Sequence, residues 1–234
     1  MRENITSQSV LFEGGFVKPV LAVFDQPASS SDGGALLLKL ADERLGLSRA
    51  VAAALPDERE ASKVKHSLLN VVHQRVFGIG NGYEDANDAS RLRSDPTHQL
   101  LLGRIPGVGS ELASQPTISR LENAFKERQL RAAGEAVTGA VLKRHQRRLG
   151  RGVKRIVIDV DATWDAAHGE QQGALFNGFY GDHGFLPLVA FAQFDDESEQ
   201  YLLAARLRPG NAGSGDVLSF LQGVIERVRS HFPA

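Results

Sequence analysis

Two carboxylates one residue apart, Asp159 and Asp161, close the run Arg155-Ile156-Val157-Ile158-Asp159-Val160-Asp161. The run is β-branched and apolar almost throughout, which favours a strand buried on at least one face. Side chains alternate along a strand, so both acids share a face with Val157, while Ile156, Ile158 and Val160 take the other. Burying unpaired carboxylates costs several kcal/mol, so the pair requires water at the strand end, a basic partner or a metal ion. Of the three, a metal ion is the reading that would do chemistry.

The elements that must carry this strand emerge from the patterning. Residues 1–30 hold short apolar stretches, Ser9 to Phe12 and Phe16 to Phe24, separated by Gly14-Gly15 and interrupted by Pro19; they read as an arm of two strands or a loose hairpin. Ser29 to Gly34 is a loop ending in an N-cap, and Ala35 to Leu45 has helical spacing. From there to Gly150 the signals are mainly helical: Ser62 to Phe77, stopped by Gly78, Gly80 and Gly82; Asp88 to Arg93; Pro96 to Leu102; Pro116 to Phe125; and the long candidate Lys126 to Leu149. After Gly150 the texture changes. Strands are expected at Arg155 to Asp161, Leu186 to Phe194 and Tyr201 to Leu207, the last two as a hairpin across the acidic turn Asp195 to Glu199, and a helix at Asp216 to Val228. The fold class expected is therefore α+β, organised as an arm (1–30), a helical region (31–150) and a strand-strand-strand-helix region (151–234). A parallel strand after that helix would be the natural completion, and without it the acid-bearing strand is expected to keep an unpaired edge.

With 42% hydrophobic and 24% charged residues in 234, the chain has the composition of a folded protein able to bury a core. Without cysteine it has neither disulfides nor thiolate metal sites. No secretory signal is read at Met1-Arg2-Glu3-Asn4, and no apolar run approaches the ~20 residues of a membrane span, so a cytoplasmic protein with no membrane partner is expected. The formal charge of -1 hides a segregation of sign. Between Ala136 and Ile158 stand Lys143, Arg144, Arg147, Arg148, Arg151, Lys154 and Arg155 without an acid, and Asp195, Asp196, Glu197 and Glu199 form the opposite cluster. A basic block of that density attracts polyanions, nucleic acid first.

From Asp159 the chain reads DVDATWDAAHGEQQGALFNGFYGDHGFLPLVAF, and after the hairpin LLAARLRPGNAGSGDVLSFLQGVIERV. With Tyr83-Glu84-Asp85-x-Asn87-Asp88, Leu92-Arg93-x-Asp95-Pro96 and Ser114-Gln115-Pro116-Thr117-Ile118-Ser119-Arg120-Leu121-Glu122-Asn123 upstream, this resembles the insertion-sequence transposases of the DDE class, specifically the large bacterial family numbered 1380. The resemblance spans essentially the whole chain.

It implies a ribonuclease-H-like catalytic domain, of which 151–234 is the first part, preceded by a helical DNA-binding region. It also implies three carboxylates holding two magnesium (or manganese) ions for in-line displacement at a phosphodiester. The first acid would be Asp161, followed by the small residue Ala162 and Thr163. Asp159 would be its neighbour, or a partner for Arg155 or Lys154. By the same resemblance the second Asp and the Glu lie further on than this sequence runs, so an incomplete transposase that binds DNA but does not cleave it alone is expected. Its DNA would be terminal inverted repeats and target, with self-association on DNA and a bacterial nucleoid location when bound.

Other residues take candidate roles around this centre. Lys143, Arg144, Arg147, Arg148, Arg151 and Lys154 are expected on the DNA backbone. Ser114 to Asn123, with Ser119 and Arg120, resembles a recognition helix. His168, in a glycine-rich stretch between strands, is a candidate for DNA or the catalytic pocket. Arg206 and Arg208 alternate along a strand and are expected to pair with the acids or meet phosphate. Trp164 is read as a core or rim aromatic. Two alternatives stand beside the transposase reading. One is a haloacid-dehalogenase-like phosphotransferase with Asp159 as nucleophile, which wants a helix soon after the acids. The other is a DNA-binding remnant without chemistry.

Overall fold

The structure, a computed structural model, describes residues 11, 12, 14–16, 18–21, 29–150, 152–169 and 171–233. The chain forms two compact units, Met1–Lys126 and Glu127–Ala234.

The first unit is helical: α1 (Ala35–Leu45), α2 (Leu47–Ala54), α3 (Leu68–Gly80), α4 (Ala89–Leu92), α5 (Pro96–Leu101) and α6 (Gln115–Glu122). Gly46 separates α1 from α2 because its φ of 67° takes the left-handed turn that L-residues avoid. The expected helix from Ser62 starts late. Ser67 accepts the Asn70 N–H at 3.2 Å and caps α3, whereas 61–63 form a single 3-10 turn. Gly78 lies inside α3, which ends at Gly80, and Gly82 just beyond takes a φ of 87°. A Cβ at Gly80 would meet Leu38 of α1 at 3.0 Å, so that glycine lets the two helices approach closely.

The loop before α1 ends in the N-cap Gly34, which makes no side-chain cap bond. Instead the Asp32 carboxylate holds the fully buried His98 of α5 (Oδ2 to Nε2, 2.9 Å) and accepts the Tyr83 hydroxyl at 3.0 Å, tying the loop before α1 to α5. Buried Gln74 of α3 clamps Ala113, giving and receiving one hydrogen bond at 2.9 Å each. Of the expected N-terminal hairpin, an antiparallel bridge between Leu11 and Val20 is described; Ser9, Val10 and 22–28 lie outside the described residues.

The second unit contains α7 (Glu127–Leu149), β1 (Ile156–Ala162), β2 (Asp165–Ala166), β3 (Leu175–Asn177), β4 (Asp182–Phe185), β5 (Leu188–Phe194), β6 (Tyr201–Arg206) and α8 (Val217–His231). Two antiparallel sheets result, β1-β5-β6 and β2-β4-β3. Leu142 of α7, Phe220, Val224 and Val228 of α8, and Leu188, Ala190, Ala192, Phe194 and Leu203 form the core, with Ile156, Ile158 and Val160 packed onto it. The long helix thus belongs to the sheet unit, because its apolar residues close that core. Thr138 of α7 hydrogen-bonds the Leu203 carbonyl at 2.5 Å, beside the irregular pairing at Ala190/Phe191.

His145 is 2% exposed, its ring 4.7 Å from Phe194 and 4.1 Å from Tyr201. Burial, aided by Arg148 and Arg144, pushes its imidazole below the ordinary histidine pKa. A depressed histidine is neutral in the fold, so its stabilising contribution is present above the unfolded pKa of ~6.5 and is lost as pH falls below it. His145→Phe is therefore expected to flatten the decline of the urea midpoint between about pH 6.5 and 5 relative to the parent. Parallel pH profiles for the two proteins would contradict this.

Candidate functional site

β1 delivers its acids as the alternation requires. Ile156, Ile158, Val160 and Ala162 face the core, and Asp159 and Asp161 stand exposed on the opposite face, opposite Phe191 and Val189 of β5. β1 has β5 as its neighbour on one side and, among the described residues, an open edge on the other. Asp161 lies one residue from the strand end, where Oδ1 accepts the Ala162 N–H at 2.8 Å. Asp159 Oδ2 accepts the Gln200 amide at 2.8 Å. Neither carboxylate meets a cationic side chain among the described residues.

The expectation that Asp159 pairs with Arg155 or Lys154 is corrected. The Arg155 guanidinium reaches Asp196 at 2.8 Å, and one Asp195 oxygen accepts the N–H groups of Lys154 (2.8 Å) and Arg155 (2.9 Å). These bonds hold the Asp195 carboxyl below the usual carboxylate range. Distance decides: four residues of strand put Arg155 about 13 Å from Asp159. Arg206 and Arg208 likewise do not meet the acids. Both reach Asp216, at 3.5 and 2.9 Å, and Arg208 is buried, also donating to the Leu186 and Gly213 carbonyls at 3.0 Å each. The Arg208 guanidinium beside Asp216 holds that carboxyl below its ordinary range. A guanidinium so committed holds a loop rather than a phosphate.

The stretch after the acids, expected as a glycine-rich loop, is the sheet β2-β4-β3. Its strands are two to four residues long, and tertiary closure holds them. Pro209 bridges Phe185, the Asn177 amide donates to the Gly210 carbonyl at 2.6 Å, and the Leu186 N–H donates to Arg208 O at 2.9 Å. Gly184 leaves room for Trp164, whose ring carbons would stand 2.9 Å from a Cβ there. Trp164 is a rim aromatic, as expected: half-buried, it stacks on Tyr180 with centroids 4.6 Å apart and planes 14° from parallel. His168 is exposed in the loop after β2.

Of the basic candidates, Lys143, Arg144 and Arg147 project from α7 into solvent, and Lys154 is exposed before β1. Arg148 is spent on Glu197, a two-pronged pair at 2.6 and 2.8 Å that keeps the Glu197 carboxyl low. Arg151 lies outside the described residues. In the first unit, α6 packs through Ile118 onto Val71 and Ala89 and leaves Arg120 outward, with Ser119 half-buried and its hydroxyl 3.4 Å from the Asn123 amide.

Two exposed carboxylates on one strand face, each with oxygen lone pairs to spare and no cation against them, fit a magnesium-type ion as a partial ligand set. Among the described residues no three acids or histidines converge. The acids lead into a sheet of short strands, not into the helix that a haloacid-dehalogenase motif would require. Comparison with known proteins agrees with the transposase reading. The family described as "Transposase DDE domain group 1" matches residues 12–234. No curated protein and no solved structure matches the chain. The match covers nearly every residue and decides the family: this protein belongs to the DDE-domain transposases.

Proposed function

We propose that Asp161, with Asp159 beside it, is the first acid of a two-ion phosphodiester site, and that the chain engages insertion-sequence end DNA through the basic face of α7. The observation that carries this reading is the placement of both acids on one exposed strand face without a cation to neutralise them. Asp161 is the freer of the two, because Asp159 is held by Gln200. When bound, magnesium (or manganese), two ions in the active assembly, would polarise the phosphate and activate the attacking oxygen. The protein's own part is to present rigid carboxylate oxygens at the end of β1 and to keep cations such as Arg155 and Arg208 committed elsewhere. A ribonuclease-H-like reading of the second unit, together with membership in the family numbered 1380, suits a strand-borne acid backed by two helices.

In this reading the helical unit contributes sequence contacts from α6 through Ser119 and Arg120. Lys143, Arg144, Arg147 and Lys154 grip phosphates, His168 contacts the DNA or the catalytic pocket, and the bound chains self-associate on terminal inverted repeats and target. In this reading the chain by itself binds DNA without cutting it.

The test is DNA binding by anisotropy across a salt series. The triple variant Lys143→Ala, Arg144→Ala, Arg147→Ala is expected to bind duplex at least ~10-fold more weakly and to lose about 0.9 in the slope of log K against log salt for each phosphate contact removed. An unchanged slope would remove α7 from the interface, and strand cleavage of end-bearing DNA by the chain alone with magnesium would remove the non-cutting assignment.

A further inference from the structure

Beyond β2, the second unit turns aromatic rings into solvent. Phe179 is 88% exposed, Phe176 53% and Tyr180 44%. None adds to the core, yet the turn that carries them is firmly built. Asn177 Oδ1 accepts the N–H groups of Phe179 (2.9 Å) and Tyr180 (3.3 Å), and the Asn177 carbonyl accepts the Gly181 N–H at 2.8 Å. Tyr180 lies flat on Trp164, and Phe179 stands edge-on to Tyr180, with centroids 5.0 Å apart and planes at 84°. Trp164 is three residues past Asp161, and the Thr163 N–H between them is fixed to the Pro187 carbonyl at 2.9 Å. The rings and the acid therefore share one scaffold.

We propose that this turn is a stacking platform for an unpaired nucleobase of the DNA strand presented to Asp161, with Phe179 as the ring the base covers. The inference rests on the DNA reading above. The turn's chemistry selects a base over a backbone. Gly178, Phe179, Tyr180 and Gly181 carry no charge, and Asp182 comes next, which disfavours phosphate. A base is a flat uncharged ring, and stacking on an aromatic accepts any base. The need is physical as well. Unstacking a nucleotide beside the reacting phosphodiester has a free-energy cost, which a preformed ring that receives its base offsets. Holding Phe179 in place beforehand lowers the ordering cost of that contact.

The experiment uses the full chain and a duplex carrying one unpaired 2-aminopurine, whose fluorescence falls on stacking, with a perfect duplex as control. The parent protein is expected to quench the probe. Phe179→Ala should abolish the quench and bind the unpaired duplex about ten-fold more weakly, leave perfect-duplex affinity unchanged, and retain the thermal midpoint, as suits so exposed a ring. Phe179→Trp should restore the quench. If Phe179→Ala quenches and binds like the parent while the α7 triple variant loses affinity, the platform is overturned and the DNA reading stands. If the parent binds neither duplex, both fall. If Phe179→Ala changes only sedimentation, from associated to single chains, the rings join copies of this protein and the platform is likewise overturned.

Discussion

Gly210→Ala is expected to cost the second unit at least ~3 kcal/mol of folding stability, an unusually large effect for one added methyl group. A Cβ there would stand against the carbonyl oxygens of Leu175 and Gly184, closer than side-chain carbons come in folded proteins, and both neighbours are backbone that cannot swing aside. Relief would require separating the loop from the small sheet. That breaks the Asn177 to Gly210 hydrogen bond of 2.6 Å and the Pro209–Phe185 bridge, and it loosens the segment that Arg208 anchors to Asp216. Gly213→Ala is the internal control, since a Cβ there meets nothing within 4 Å and should be nearly neutral. Urea unfolding followed by Trp164 fluorescence measures both. Equal midpoints for the two variants would show that the loop does not lock the sheet.

This lock explains what the sequence disclosed and what it withheld. β1 was legible because Ile156, Ile158, Val160 and Ala162 alternate onto the core while Asp159 and Asp161, sharing a face with Val157, do not. α8 was legible for a similar reason, its apolar residues recurring at helical spacing and closing the core. The sheet β2-β4-β3 was not. Leu175–Asn177 and Asp182–Phe185 are short, mostly exposed and without alternation, so their pairing depends on the Gly210 loop outside the strands and on the close fits it makes with Asn177 and Gly184 within them. Asn177 and the Pro209-Gly210 pair stand in recognisable motifs, but their mutual contact spans 33 positions and leaves no local signal.

Charge was legible only as a sum. The basic block was plain, yet nothing near Arg148 announced that Glu197 would claim it, or that Asp196 would claim Arg155. Arg208 sits on a strand-like alternation that suggested an outward guanidinium. Burial beneath the loop instead turned it toward the Leu186 and Gly213 carbonyls. The pairing that mattered most was the one that did not form: the Arg155 guanidinium is held by Asp196, and Arg206 and Arg208 by Asp216, leaving Asp159 and Asp161 open.

That openness sets the second large expectation. A pair of exposed carboxylates with free lone pairs, offered by a rigid strand, should take a divalent ion weakly, with an affinity on the order of millimolar. Direct loss of a ligand should weaken binding at least as much as the ~100-fold that loss of a supporting group can cause. Asp161→Asn keeps the shape and the Ala162 hydrogen-bond geometry while removing the charge, so folding should be unaffected and ion binding should be nearly abolished. Asp159→Asn should weaken it less, because one Asp159 oxygen already serves Gln200.

The most direct test is a manganese titration of the purified chain followed by electron paramagnetic resonance, comparing the parent with Asp161→Asn. The account predicts a weak bound fraction in the parent that disappears in Asp161→Asn and persists in part in Asp159→Asn. Titrations of the parent and Asp161→Asn that superimpose would contradict it.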